Sequence, residues 1–376
     1  MIEDVPSPFT IECGDDAIAD LRARLSQTRW PERETVDDWS QGVPLAYMQD
    51  LCAHWAHDYD FSAAQERLNR FPQYRTPIDG LDIHFIHVPS RHERAIPIVL
   101  THGWPGSFVE FLGVIDALVN PDDPGDAFHV VVPSLPGYGY SGKPSAPGWN
   151  LTRVAAAWDE LMLRLGYDRY GAQGGDWGAL LTNMMARDFA DHLTGIHLNL
   201  PVLDFAAFDM GDLTPEEQKG LAGVGTHARD GRGYAEMQST RPQTLGYGLT
   251  DSPAAQCAWI VDKYWAWTDC DGDPDRALTR EQMLDNISVY WFTGTASSSA
   301  RMYWENRDRT DAVPIAVPAG LSVFPREIIT VSRRMAETRY RDLRWFNRLD
   351  RGGHFAAWEQ PELFVADLRS FFRTVR

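Results

Sequence analysis

The pentapeptide Gly174-Gly175-Asp176-Trp177-Gly178 has the small-x-nucleophile-x-small form of a nucleophile elbow, in which glycines permit the strained turn that lifts one side chain above a sheet. The lifted group here is a carboxylate. An aspartate nucleophile displaces a leaving group at an sp³ carbon and is left as an alkyl ester, chemistry that suits epoxides or alkyl halides better than amides. Nothing in the chain matches G-x-S-x-G, and Ser107 and Ser141 lack the flanking glycines, so a serine esterase or protease is not expected. A helix N-cap would account for Asp176 alone and not for its four neighbours.

An ester must be hydrolysed, so a base, an acid that orients it and an oxyanion site are needed. His102-Gly103-Trp104-Pro105-Gly106-Ser107 follows the apolar run Ile96–Thr101. A strand ending in His-Gly and a tight turn is the usual place for an oxyanion donor, and the backbone N–H groups of Trp104 and Trp177 are expected to converge there, with His102 structural. The order nucleophile, acid, histidine puts the base late in the chain, at Arg351-Gly352-Gly353-His354-Phe355. The other histidines are poorer candidates: His84 and His87 sit within an expected strand, His54 and His57 within an expected helix, and His192 and His197 near helix and strand ends. Glu327, in Phe324-Pro325-Arg326-Glu327, is the chosen partner for His354, with Asp204 and Asp350 as rivals. An epoxide opens to an alkoxide, which a neutral phenol can stabilise by hydrogen bonding. Tyr234 and Tyr303 are preferred for that role, although composition does not separate them from Tyr247, Tyr264 or Tyr290.

These residues need a frame. Residues 81–88, 96–101 and 128–132 read as strands, as do 170–173, 321–324 and 343–347. Residues 108–118, 154–165, 177–189 and 361–372 carry helical spacing between and after them. Alternation of this kind makes an α/β fold whose mostly parallel sheet has helices on both faces. Residues 1–75 read as a helical lead-in, with helices over 16–27 and 44–68. Residues 76–200 and 311–376 form the two parts of the core, and 201–310 is expected to be an inserted helical lid.

Composition narrows the partners. With 35 Lys and Arg against 53 Asp and Glu, the formal charge is −18, which repels nucleic acid and anionic lipid. The four cysteines are widely spaced and read as buried free thiols. The acidic, proline-containing start and the lack of a long apolar run point to a cytoplasmic protein that does not span a membrane. Asp269-Cys270-Asp271-Gly272-Asp273-Pro274-Asp275 imitates a calcium loop, but Pro274 stands where the loop needs glycine and Arg280 at its twelfth position, so an acidic turn is expected.

Together these segments resemble the microsomal-type epoxide hydrolases of the α/β-hydrolase superfamily, which include juvenile-hormone hydrolases and soluble relatives. The resemblance spans nearly the whole chain: Pro8-Phe9, Arg29-Trp30-Pro31, Phe71-Pro72-Gln73-Tyr74, residues 102–107, Pro136-Gly137-Tyr138-Gly139-Tyr140-Ser141, residues 173–178, Thr240-Arg241-Pro242, Tyr290-Trp291 and Gly352-Gly353-His354-Phe355. It implies an α/β-hydrolase fold with an eight-stranded sheet, a helical lid and a helical N-terminal extension. It also implies Asp176 as nucleophile, His354 as base, Glu327 as its acid and the lid pair Tyr234 and Tyr303. The expected activity is conversion of an epoxide and water to a vicinal diol, with no cofactor and no metal. A haloalkane dehalogenase, with the Trp177 indole binding halide, is the alternative. The expected partner is a small epoxide, apolar aryl or alkyl, and a homodimer is compatible with the chain. An anchor segment like that of the membrane-bound animal members is not expected.

Overall fold

In the computed structural model, residues 6–203, 208, 210–309 and 313–376 are described. Nine runs form one sheet: β1 (Ser7–Phe9), β2 (Gln73–Ile78), β3 (Leu81–Val88), β4 (Ile96–Thr101), β5 (Phe128–Pro133), β6 (Tyr170–Gly174), β7 (Leu193–Leu198), β8 (Ala319–Val323) and β9 (Leu343–Arg348). Their order is β1-β2-β3-β5-β4-β6-β7-β8-β9. The pairs β1/β2, β2/β3 and β3/β5 are antiparallel, and every pair from β5/β4 to β8/β9 is parallel. β4 and β6 sit at the centre, and Ile98, Val99, Leu100, Tyr170 and Ala172 are wholly buried, as continuous apolar runs become when helices cover both faces.

The sheet has one strand more than the eight expected. β1 is a three-residue edge strand containing Pro8, which pairs with Tyr74 of β2. Proline is tolerated at an edge, yet so short a run carries no readable alternation. β2 contains Pro77 and begins inside the segment read as a helical lead-in.

The helices α1 (Asp15–Ser26), α2 (Leu45–His57) and α3 (Phe61–Leu68) precede the core. The single helix expected over 44–68 is two, because the Asp60 carboxylate accepts from Ser62 N and Ala63 N at 3.0 Å and caps a new start. The helix expected over 108–118 is also divided, into a 3₁₀ turn at Phe108–Phe111 and α4 (Ile115–Val119), with Gly113 between them. α5 (Leu151–Arg164) and α6 (Asp176–Asp188) then pack together beside the central strands.

Between β7 and β8, the described residues include six α-helices: α7 (Pro215–Thr226), α8 (Gly233–Thr240), α9 (Pro242–Asp251), α10 (Pro253–Trp267), α11 (Arg280–Thr293) and α12 (Ala296–Glu305). Thr214 with Glu217, and Thr279 with Gln282, close reciprocal capping boxes at the starts of α7 and α11. The N-terminal helices grip α11. Arg67 makes a forked ion pair to Asp285 at 2.7 and 2.8 Å, Tyr59 donates to the same carboxylate at 2.6 Å, and the Trp55 indole donates to Ser288 Oγ at 3.0 Å. The chain ends with α13 (Arg333–Glu337), α14 (Ala356–Glu359) and α15 (Pro361–Phe372), whose Phe371 and Phe372 fill the space above Gly195, Gly320 and Gly171.

Among the described residues no helix is long and apolar enough to cross a membrane. Cys52, Cys257 and Cys270 are buried free thiols, whereas Cys13, in the stretch between β1 and α1, is only part-buried.

Candidate active site

The carboxyl ends of β4, β6, β8 and β9 meet in one place, where loops of an open α/β sheet present their side chains. At the end of β6, Asp176 takes φ = +47°, a left-handed conformation costly for a residue with a Cβ. The neighbouring glycines make that turn fit. A Cβ on Gly174 would overlap the backbone of Gly178, and one on Gly178 would overlap the Thr101 carbonyl. A Cβ on Gly103 would overlap the Asp176 carboxyl itself, so glycines from two separate loops are required by one side chain.

Trp104 N donates to Asp176 Oδ1 at 2.8 Å. Trp177 N lies in the first turn of α6, where backbone N–H groups have no partner within the helix. His102 bridges Gly103 O and Leu135 N through its two ring nitrogens, which makes it a fastener of the turn.

His354 follows β9 in a loop held at three points. Gly352 N donates to Asp269 Oδ2 at 2.9 Å, His354 N donates to Trp267 O at 2.9 Å, and Phe355 N donates to Glu359 Oε1 at 3.0 Å. Asp269, first residue of the acidic turn, is thus a loop anchor. The ring of His354 lies between two carboxylates, with Nδ1 at 2.7 Å from Glu327 Oε1 and Nε2 at 3.5 Å from Asp176 Oδ2. An acceptor at Nδ1 assigns the proton there and leaves Nε2 to face Asp176. Glu327 Oε1 also accepts from Ile328 N at 2.6 Å. Burial works against a charged imidazole, but the attraction of Glu327 and the hydrogen bonds to both carboxylates prevail, and the His354 pKa is raised well above its ordinary value. Asp350 is exposed and lies 3.9 Å from the Arg351 guanidinium, and Asp204 lies outside the described residues.

Above Asp176 stand Tyr234 of α8 and Tyr303 of α12. Tyr234 stacks on Trp104 with centroids 5.0 Å apart and planes 9° apart, and Tyr303 meets the Trp177 ring edge-to-face at 4.7 Å. Their own rings meet edge-to-face with centroids 5.8 Å apart. Burial and the nearby Asp176 charge raise both phenol pKa values, so both remain proton donors at neutral pH. The other tyrosines serve elsewhere: Tyr290 donates to Gly106 O at 2.8 Å, Tyr264 contacts Asn286 at 2.7 Å, and Tyr247 is 71% exposed. Asn286 in turn donates to Pro105 O at 2.7 Å, so α10 and α11 clamp the turn after β4.

Two polar residues escaped the sequence reading of the site. Asn199, after β7, accepts from Gln173 Nε2 at 2.9 Å and donates to His354 O at 3.3 Å. Glu110, in the 3₁₀ turn, shares a small cavity with Asp176 and His354. Its sequence signal is a lone carboxylate in the apolar run Phe108-Val109-Glu110-Phe111-Leu112. Among the described residues no group of side chains is arranged to hold a metal ion.

A carboxylate elbow, a late histidine and a set of helices inserted between β7 and β8 of this sheet define an α/β-hydrolase, and residues 96–301 match the family described as alpha/beta hydrolase fold. Residues 6–111 match the description epoxide hydrolase N terminus. The chain is 53% identical to a Stigmatella aurantiaca protein named "Putative epoxide hydrolase", over 98% of this chain and 85% of that one. It is 35% identical to epoxide hydrolase 1 of Oryctolagus cuniculus, over 97% and 88%. The crystal structure of juvenile hormone epoxide hydrolase from the silkworm Bombyx mori superposes with a TM-score of 0.93 at 31% identity, covering 100% of this chain and 95% of that one. Within its superfamily, the chain belongs to the epoxide hydrolases.

Proposed function

We propose that the chain converts an epoxide and water to a vicinal diol through an ester on Asp176. The observation that carries this reading is a carboxylate held 2.8 Å from the Trp104 amide and 3.5 Å from His354, beneath a pair of phenols. Asp176 attacks a ring carbon, and the C–O bond breaks as Tyr234 and Tyr303 hydrogen-bond the departing oxygen, which takes up a phenol proton that the Asp176 carboxyl restores when hydrolysis frees it. His354 then takes a proton from water, whose oxygen adds to Asp176 Cγ. The N–H groups of Trp104 and Trp177 hold the oxyanion, and the alkyl C–O bond stays intact as the diol leaves with one former Asp176 oxygen.

The two carboxylates around His354 give the steps their order. Before alkylation, Asp176 and Glu327 together favour the imidazolium. Esterification removes the Asp176 charge and one hydrogen bond to the charged ring, so the His354 pKa falls when its service as base is required. The walls of Trp104, Trp177, Trp267, Tyr234 and Tyr303 favour an apolar aryl or alkyl epoxide. We divide the chain into an N-terminal segment (1–75), a core (76–200 and 311–376) and a lid (201–310), a division supported by the run of helices between β7 and β8. The free cysteines suit a reducing compartment.

The test is a His354→Gln variant incubated with styrene oxide. The peptide containing Asp176 should gain the mass of one epoxide, and the absence of any adduct on it would refute the ester. The Trp177 indole Nε1 is buried and has no hydrogen-bond partner among the described residues, which keeps the halide-binding alternative concrete. Chloride release from a chloroalkane at a rate matching diol formation would favour it.

A further inference from the structure

The hydrolytic step needs a water on Asp176, and a cavity on the core side of that residue has the right size and chemistry. Its walls include Gly103, Glu110, Asp176, Asn199 and His354, and neither Tyr234 nor Tyr303 belongs to them. The space for a water's centre is about 10 Å³, which suits one molecule, and a site lined by several polar groups is one that water occupies. Resting on the ester reading above, we propose that this cavity holds the hydrolytic water and that Glu110 is its positioning residue.

Several features lead there. Glu110 is carried by the turn that immediately follows the oxyanion loop, and its amide is bonded to Ser107 O at 3.1 Å. The carboxyl lies against Gly106, where any Cβ would overlap Oε1. The two glycines of the loop therefore make room for two carboxyls, Gly103 for Asp176 and Gly106 for Glu110. Among the described residues, no cation pairs with the Glu110 side chain in the way that Arg67 pairs with Asp285. Burial pushes its pKa up to about 8, against the pull of His354, so at neutral pH it is a carboxylic acid with both a donor and an acceptor.

A water seated there can direct one hydrogen to His354 Nε2 and the other to the Glu110 carbonyl oxygen, leaving a lone pair for Asp176 Cγ. The water O–Cγ bond then forms as its proton passes to His354, and the Cγ–O(alkyl) bond breaks as that proton is given to the leaving alkoxide. Water reaches the ester from the core side while the tyrosines hold the substrate oxygen on the lid side. Glu110 touches only the water and acts through it.

The experiment is rapid-mixing, single-turnover kinetics with styrene oxide on the full chain, following ester formation and ester decay separately in wild type, Glu110→Gln and Glu110→Leu. Glutamine keeps the size, the donor and the acceptor, and leucine removes the last two. Ester formation should stay within about threefold in both variants, while ester decay slows at least tenfold in Leu and less than threefold in Gln. Decay at the wild-type rate in Leu overturns the proposal, and so does an equal loss in both steps, which would mean a packing role. Failure of wild type to form any ester would instead overturn the ester reading, so the two failures are distinguishable.

Discussion

Tyr234 and Tyr303 offer the sharpest division between the two chemical steps. Replacement of either by phenylalanine removes one hydroxyl and keeps the ring that stacks on Trp104 or meets Trp177. A hydrogen bond to a charged oxygen contributes about 1.5–3 kcal/mol, so each substitution should slow ester formation by about 10- to 160-fold if both phenols serve the oxygen. The two rings are neighbours, and either phenol left in place can still donate to the oxygen, so the double variant should lose more than the product of the single losses. Ester decay should change little, because neither phenol borders the cavity behind Asp176. Trp104, Trp177 and Trp267 surround the site, so intrinsic fluorescence under excess enzyme is the natural assay. Thermal melts control for folding, with an expected loss of no more than about 1.5 kcal/mol for a single hydroxyl. Unchanged ester formation in the double variant, or a loss confined to ester decay, would refute the role of the pair.

Other consequences concern the histidine, the buried acids and the N-terminal helices. Glu327→Gln should slow ester decay by about 10²- to 10⁴-fold and let the intermediate accumulate on Asp176, and rapid quenching with mass analysis would reveal its absence if Glu327 has no such role. Burial raises the carboxyl pKa of Glu110 from 4.5 to about 8 and that of Glu359 to about 7. The folded chain therefore binds more protons than the unfolded one between those values, and the stability these groups provide is full below 4.5 and lost as pH rises through 7 to 8. The melting temperature of Glu110→Gln should fall less between pH 5 and pH 9 than that of wild type, and parallel falls would contradict the shift. Deleting residues 1–75 would strip Asp285 of Arg67 and Tyr59, leaving a buried carboxylate uncompensated at a cost of about 3–5 kcal/mol. Misfolding is expected, and a truncated chain that is soluble and fully active would overturn that role.

Much of the site was legible because its chemistry is tied to backbone features that leave marks in sequence. A carboxylate flanked by glycines after an apolar strand, and His-Gly or Gly-Gly-His at other strand ends, are local patterns with local steric causes. Selection among tyrosines was not local. Tyr234 and Tyr303 differ from Tyr264 and Tyr290 only in which face of a lid helix turns toward Asp176, and that depends on how α8 and α12 dock. Glu110 was hidden by an expected helix over 108–118, because its meaning comes from Gly106 and the cavity next to it. The edge strands β1 and β2 were obscured by their prolines, and the break at Asp60 by a capping bond that competes with helical periodicity on either side.

The central claim is that Asp176 itself supplies an oxygen to the product. A single turnover of styrene oxide by excess enzyme in ¹⁸O-water, with mass analysis of the diol and of the peptide containing Asp176, tests it directly. The ester route predicts an unlabelled first-turnover diol and ¹⁸O in Asp176. Label in that diol with none in the peptide would mean that water attacks the epoxide, and the assignment of Asp176 as nucleophile would be wrong.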